Sequence, residues 1–131
     1  MEIDTDVTDD TVNINTIELS GNTKDHLKLQ PEDILYAKVS GNYVDIYYFK
    51  DDCVKHKLLR MSLNQLSDSL QEYPFILRCH RAFIVNTSKL VKVRGNLKGY
   101  HLELESIPNQ IPVSKSYTKI VKEKLTQWDF Y

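Results

Sequence analysis

The chain has little cysteine, few turn-breaking residues, no long apolar run and almost no acid between residues 73 and 122. Its two cysteines, Cys53 and Cys79, are too few for a disulfide framework and lack metal-ligand spacing. The simplest reading is a reduced, cytosolic protein with both thiols half-buried. Arg78 and His80 flank Cys79, and cations lower a thiol pKa, so a redox role stays open there. No apolar run approaches the ~20 residues that span a bilayer. No basic region followed by an apolar one opens the chain, so neither a leader nor membrane contact is expected. His26, His56, His80 and His101 are dispersed, with no H-x-x-x-H pair and no cysteine partner, and neither metal nor cofactor is expected. G-x-S-x-G, phosphate-loop and dinucleotide fingerprints are missing. The carboxylates gather in the N-terminal segment and in turns, not where a nuclease would hold Mg²⁺. The chain reads as non-enzymatic.

What is present is ordinary in amount and uneven in placement. Of the 131 residues 41% are apolar and 27% charged, as in one globular domain. The net charge of -1 hides a polarity. Glu2, Asp4, Asp6, Asp9, Asp10 and Glu18 meet no Lys or Arg in residues 1–20. Residues 21–131 then hold 17 basic against 12 acidic residues, a surplus of +5. Between residues 73 and 122 nine Lys and Arg face only Glu103 and Glu105. Such a field favours a polyanionic partner. Residues 1–15 read as an acidic, mobile tail, whose opposite sign would let it shield a basic face, and residues 16–128 as the domain.

Short runs with strand character recur between turn signals. Candidates are Thr16–Ser20, His26–Leu29, Asp33–Val39, Tyr43–Phe49, Cys53–Met61, Phe75–Cys79, Phe83–Val85, Leu90–Arg94, Tyr100–Glu105 and Gln110–Val113. Gly41-Asn42 and Asp51-Asp52 read as tight hairpin turns. Ser62-Leu63-Asn64-Gln65 fits a capping box, and Leu63, Leu66 and Leu70 follow at helical spacing up to Pro74. Ser114 or Ser116 starts a last helix with the apolar stripe Tyr117, Ile120, Val121, Leu125 and Trp128. The sum is a mainly β domain: about ten short antiparallel strands in small packed sheets, one short internal helix and a C-terminal helix.

Three polar clusters fall at strand ends: Ser40-Gly41-Asn42-Tyr43, Arg78-Cys79-His80-Arg81 with Asn86 beyond, and Val113-Ser114-Lys115-Ser116-Tyr117. Arginine forks read guanine edges and phosphates, Asn can pair with adenine, and a helix start can hold a phosphate. The rival readings are a solvated cationic strand, a plain turn and plain helix capping.

In order, Asp33-Ile34-Leu35-Tyr36, Gly41-Asn42-Tyr43-Val44, Arg60-Met61-Ser62-Leu63-Asn64-Gln65-Leu66, the run from Phe75 to Asn86, and Ile111-Pro112-Val113-Ser114-Lys115-Ser116-Tyr117 make a recognisable set. The chain resembles the LytTR-type DNA-binding domain of bacterial transcriptional regulators over roughly residues 16 to 126. The resemblance implies that loops enter successive major grooves of double-stranded DNA, with Asn42, Tyr43, Arg81 and Lys115 at the base-reading positions. It also implies backbone contacts from Arg78, His80, Asn86, Ser114 and Tyr117, to which the basic stretch adds Lys98 and Lys119. Relatives often bind paired direct repeats, so a second copy on DNA is expected. Lys115 stands where the family often has arginine, and loses the bidentate fork. A phosphorylatable receiver domain, which many relatives carry, is not in this sequence. The expectation is therefore sequence-specific DNA binding in transcription regulation. The alternative is a β-rich module that binds an anionic protein or lipid surface.

Overall fold

The computed structural model describes residues 16–96 and 98–126. The acidic segment 1–15, Trp128 and the expected boundary at residue 128 lie outside the described residues. The chain forms β1 (Ile17–Ser20), β2 (His26–Leu29), β3 (Ile34–Ser40), β4 (Tyr43–Lys50), β5 (Cys53–Leu59) and then α1 (Leu63–Ser69). It continues through β6 (Ile76–His80), β7 (Phe83–Asn86), β8 (Leu90–Asn96), β9 (Gly99–Leu104), β10 (Ile111–Val113) and α2 (Lys115–Lys124). The fold is mainly β, and the pairings are antiparallel. A central sheet has the order β5-β4-β3-β7-β6, a second β10-β9-β8, and a small third β1-β2. No helix among the described residues is long and apolar enough to cross a membrane.

Turn chemistry sets the registers. Gly41 takes φ 61 between β3 and β4; a Cβ there would meet nothing within 4 Å, so the left-handed backbone, not space, favours glycine. Asp51 and Asp52, at φ 54 and 63, make the β4–β5 turn. From that two-residue turn the ladder runs from Lys50 opposite Cys53 to Val44 opposite Leu59. The capping box closes α1 at both ends of its motif: Gln65 N–H donates to Ser62 Oγ at 3.0 Å, and Ser62 N–H donates to Gln65 Oε1 at 2.7 Å.

The two faces of the central sheet bury different cores. Ala37, Val44, Ile46, Leu59 and Ile84 meet α1 and the β1–β2 hairpin. Tyr36, Leu77 and Val85 meet the second sheet and α2. One bulge breaks the period-2 alternation. Between Ile34 and Tyr36 the register shifts, so Leu35 and Tyr36, though adjacent, both enter the second core. Another shift falls between Arg78 and His80, but β6 keeps its alternation, and Cys79 faces that same core two residues after Leu77.

Three departures from the sequence reading concern burial. Cys53 is exposed and Cys79 fully buried, so neither thiol is half-buried. Burial pushes the Cys79 thiol up to about 12, outweighing its backbone hydrogen bond and the Arg78 charge. A thiol held protonated has no thiolate for redox chemistry. Ile120 is 44% exposed, while Val121 and Leu125 carry the buried stripe of α2.

Candidate nucleic-acid interface

Arg81 and Ala82 form the turn between β6 and β7, and their loop is held from several sides. The Arg78 guanidinium donates to the carbonyl oxygens of His80 at 3.1 Å and Arg81 at 2.7 Å, and to Asn64 Oδ1 of α1 at 2.7 Å. His80 Nδ1 accepts the Ala82 N–H at 3.0 Å, which leaves the hydrogen of the neutral ring on Nε2. Burial, then the charges of Arg81 and Arg78, hold the His80 pKa below its ordinary value, favouring that neutral ring. The ring stands edge-on to Phe83 at 5.4 Å. With its loop so fixed, Arg81 is exposed and its side chain makes no hydrogen bond among the described residues.

The other two clusters are tied to this loop through backbone. Val39 N–H of β3 donates to Ala82 O at 3.0 Å, joining the Gly41-Asn42 turn to the arginine loop. Ser114 N–H donates to Cys79 O at 3.1 Å, joining the start of α2 to β6. Arg78 also lies over the Tyr117 ring, 5.9 Å from its centre. Asn42, Tyr43, Arg60, Asn64, Arg78 and Arg81 line one groove of about 480 Å³. At its edge the Arg60 guanidinium sits 5.9 Å from the centre of the exposed Tyr43 ring. Arg60 is fixed in turn by the β1–β2 loop, where Asn22 N–H donates to Arg60 O at 2.6 Å. Gly21 approaches so closely that a Cβ would come within 2.9 Å of Arg60 O.

Lys115 and Ser116 are exposed in the first turn of α2. Ser114 occupies the N-cap position, but its hydroxyl makes no cap and lies 3.3 Å from Ser116 Oγ. Lys119, also exposed, follows Lys115 by four residues and shares its helix face. Lys98 is at the β8–β9 turn, where its N–H donates to Asn96 Oδ1 at 2.8 Å, and it does not line the groove. Glu103 and Glu105 pair with Arg94 and Lys89 on the second sheet. The hydrogen bond from Gln110 and then that from Arg94 hold the Glu103 carboxyl below its usual range. The two acids of the basic stretch are thus paired away from the groove. No group of three or more His, Cys, Asp or Glu among the described residues could hold a metal ion.

Asn86 differs from its expected role. It is fully buried. Its amide Nδ2 donates to Ile34 O at 2.7 Å and Glu32 O at 3.2 Å, while Oδ1 accepts from Ser88 N–H and Oγ. An amide so enclosed and so fully paired is a structural brace, not a phosphate contact. Arg60 and Asn64 are groove residues that the sequence reading passed over. A signal for Arg60 existed: counting back from a two-residue turn at Asp51-Asp52 sets position 60 across from Tyr43.

A family model described as the LytTr DNA-binding domain matches residues 24–126. An uncharacterized response regulatory protein of Yersinia pestis is 32% identical over 99 residues, 76% of this chain and 37% of that protein. The sensory transduction protein LytT of Enterococcus faecalis is 29% identical over 111 residues, 83% of this chain and 43% of its own. The chain therefore spans about two fifths of these relatives. Among solved structures, a LytTr DNA-binding domain from Bacillus cereus superposes with a TM-score of 0.62 at 17% identity, over 85% of this chain and 96% of that one. At that identity the likeness is one of fold.

Proposed function

The chain belongs to the LytTR family, the DNA-binding domain of transcriptional regulators, and from that premise we propose that it reads double-stranded DNA sequence-specifically through the loops around the groove. Arg81 is the principal base reader, because its fork is displayed on a braced loop and remains unpaired. Asn42 and Tyr43 read from the neighbouring turn, and Lys115 from the start of α2. Arg60, Ser114, Tyr117, Lys98 and Lys119 serve the phosphates, which supply most of the affinity without reading sequence. His80 and Arg78 act chiefly by holding the Arg81 loop. Paired direct repeats would seat two copies side by side. The proposed place of action is the bacterial cytoplasm, where the DNA is, and no catalytic role is proposed.

The observation that supports this reading most is the backbone linkage of all three loops to one another. Loops fixed to two cores keep a constant spacing, as successive contacts on a rigid duplex require. Selection of binders from a random duplex library, followed by mobility shifts at two salt concentrations, tests it. Enrichment of one motif and affinity that falls steeply with salt are expected. Affinity for anionic vesicles or proteins with none for DNA would favour an interaction module instead.

A further inference from the structure

The three acceptors of the Arg78 guanidinium are not equivalent. The carbonyl oxygens of His80 and Arg81 lie two and three residues further along the same loop, so they move with it. Asn64 Oδ1 is fourteen residues away, in α1. That bond alone of the three ties the guanidinium to a separate element. Its sense is fixed by chemistry: a guanidinium only donates, so the Asn64 amide must present its oxygen. Val39 N–H and Ser114 N–H hold Ala82 and Cys79, the flanks of the loop, and not the Arg81 carbonyl.

The first turn of α1 is a firm reference. Leu63 and Leu66, on either side of Asn64, are buried in the first core. The Ser62–Gln65 capping box fixes the same turn, and Gln65 Nε2 donates to Asn22 Oδ1 at 3.3 Å, tying it to the β1–β2 loop. Asn64 is itself exposed, so its side chain adds little to the core, and it lines the groove with Arg78 and Arg81. We propose that Asn64 is a positioning residue for base reading: through Arg78 it fixes where the Arg81 fork meets the duplex. This inference rests on Arg81 being a base reader. Without Asn64, Arg78 still clasps His80 and Arg81, so the loop keeps its internal shape but can pivot against α1. A phosphate contact tolerates such a shift, whereas a two-pronged contact to a base edge does not. The expected signature is lost discrimination with an unchanged salt dependence.

Titration of Asn64→Ala against single-base variants of the selected site, well below the melting temperature, tests this. Discrimination at the position that Arg81→Ala relaxes should fall by about fivefold or more. Discrimination elsewhere, and the slope of log K against log salt, should stay as in the parent. Asn64→Asp keeps the acceptor oxygen and adds a negative charge, so it should bind every duplex more weakly yet discriminate as the parent does. In the Arg81→Ala background, Asn64→Ala should remove no further discrimination. In the free protein the Arg78 guanidinium N–H signals should exchange faster in Asn64→Ala and persist in Asn64→Asp; unchanged signals in Asn64→Ala would overturn the proposal. A lower melting temperature with discrimination intact would make Asn64 a purely structural residue and overturn it too, as would an even loss at every position. A parent chain that selects no motif would end the base-reading premise and this proposal with it, a failure visible in the parent's own titration before any variant is made.

Discussion

The guanidinium of Arg78 donates to the carbonyl oxygen of Arg81 at 2.7 Å, so one arginine holds the loop on which the other is displayed. Two cations three residues apart and of similar appearance in sequence therefore have separable roles, and substitution should tell them apart.

Arg81→Ala should leave the melting temperature nearly unchanged. It should cost about 1–3 kcal/mol on a cognate duplex and relax discrimination at one base position. Titration of the variant against a panel of single-base substituted sites checks both parts. Unchanged affinity for the cognate duplex would remove Arg81 from the base-reading set.

Arg78→Ala should weaken stability and binding together. It removes hydrogen bonds to His80, Arg81 and Asn64, and hydrogen bonds to a charged group contribute about 1.5–3 kcal/mol. Arg78→Lys should rescue little, since an ammonium cannot span three acceptors in a plane. Urea unfolding alongside DNA titration is the measurement. A fully stable variant with lost binding would make Arg78 a direct contact instead.

Lys119→Ala should lower the affinity for every duplex alike and flatten the dependence of log K on log salt by about one. Loss confined to the cognate site would contradict its assignment to phosphate.

Asn86→Ala should destabilise the fold by about 1–3 kcal/mol, because the carbonyl oxygens of Ile34 and Glu32 lose a buried donor. Affinity measured well below the melting temperature should stay near that of the parent chain. A calorimetric scan and one titration distinguish this brace from a DNA contact.

His80 makes stability depend on pH with a definite sign. Its pKa in the fold lies below the ordinary value of 6.5, so the unfolded chain binds more protons in that interval. The contribution is full above the unfolded pKa of about 6.5 and is lost as pH falls from there through the lower folded value. NMR titration of the free protein should give a His80 midpoint below that of an exposed histidine. A midpoint above 6.5 would show that Nδ1 does not accept from Ala82.

Much of this was legible in one dimension because turns and caps are local. Gly41-Asn42, Asp51-Asp52 and the Ser62 capping box each carry their geometry in two to four residues, and the strands between them follow. The three loop clusters could be found because arginine, asparagine and serine at strand ends stand out chemically. Bulges could not be read. An extra residue at Leu35 alters which face its neighbours take, yet the local residue types are unchanged. Asn86 misled for a related reason: an amide after an apolar strand looks like a surface contact until the carbonyl oxygens of Glu32 and Ile34 are brought to it from fifty residues away. Arg60 falls in a segment of strand character, but its partner depends on counting through a turn, and its charge alone does not mark it.

The Asp51-Asp52 turn has a consequence at the opposite end of its hairpin. It sets the rungs from Lys50 and Cys53 through Val44 and Leu59, and the Arg60–Tyr43 contact lies one step further on. Inserting a single amino acid into β5 would invert the facing of every later side chain and carry Arg60 to the opposite surface, whereas inserting two would restore the parity. Length changes in that strand should therefore be tolerated in even steps and rejected in odd ones.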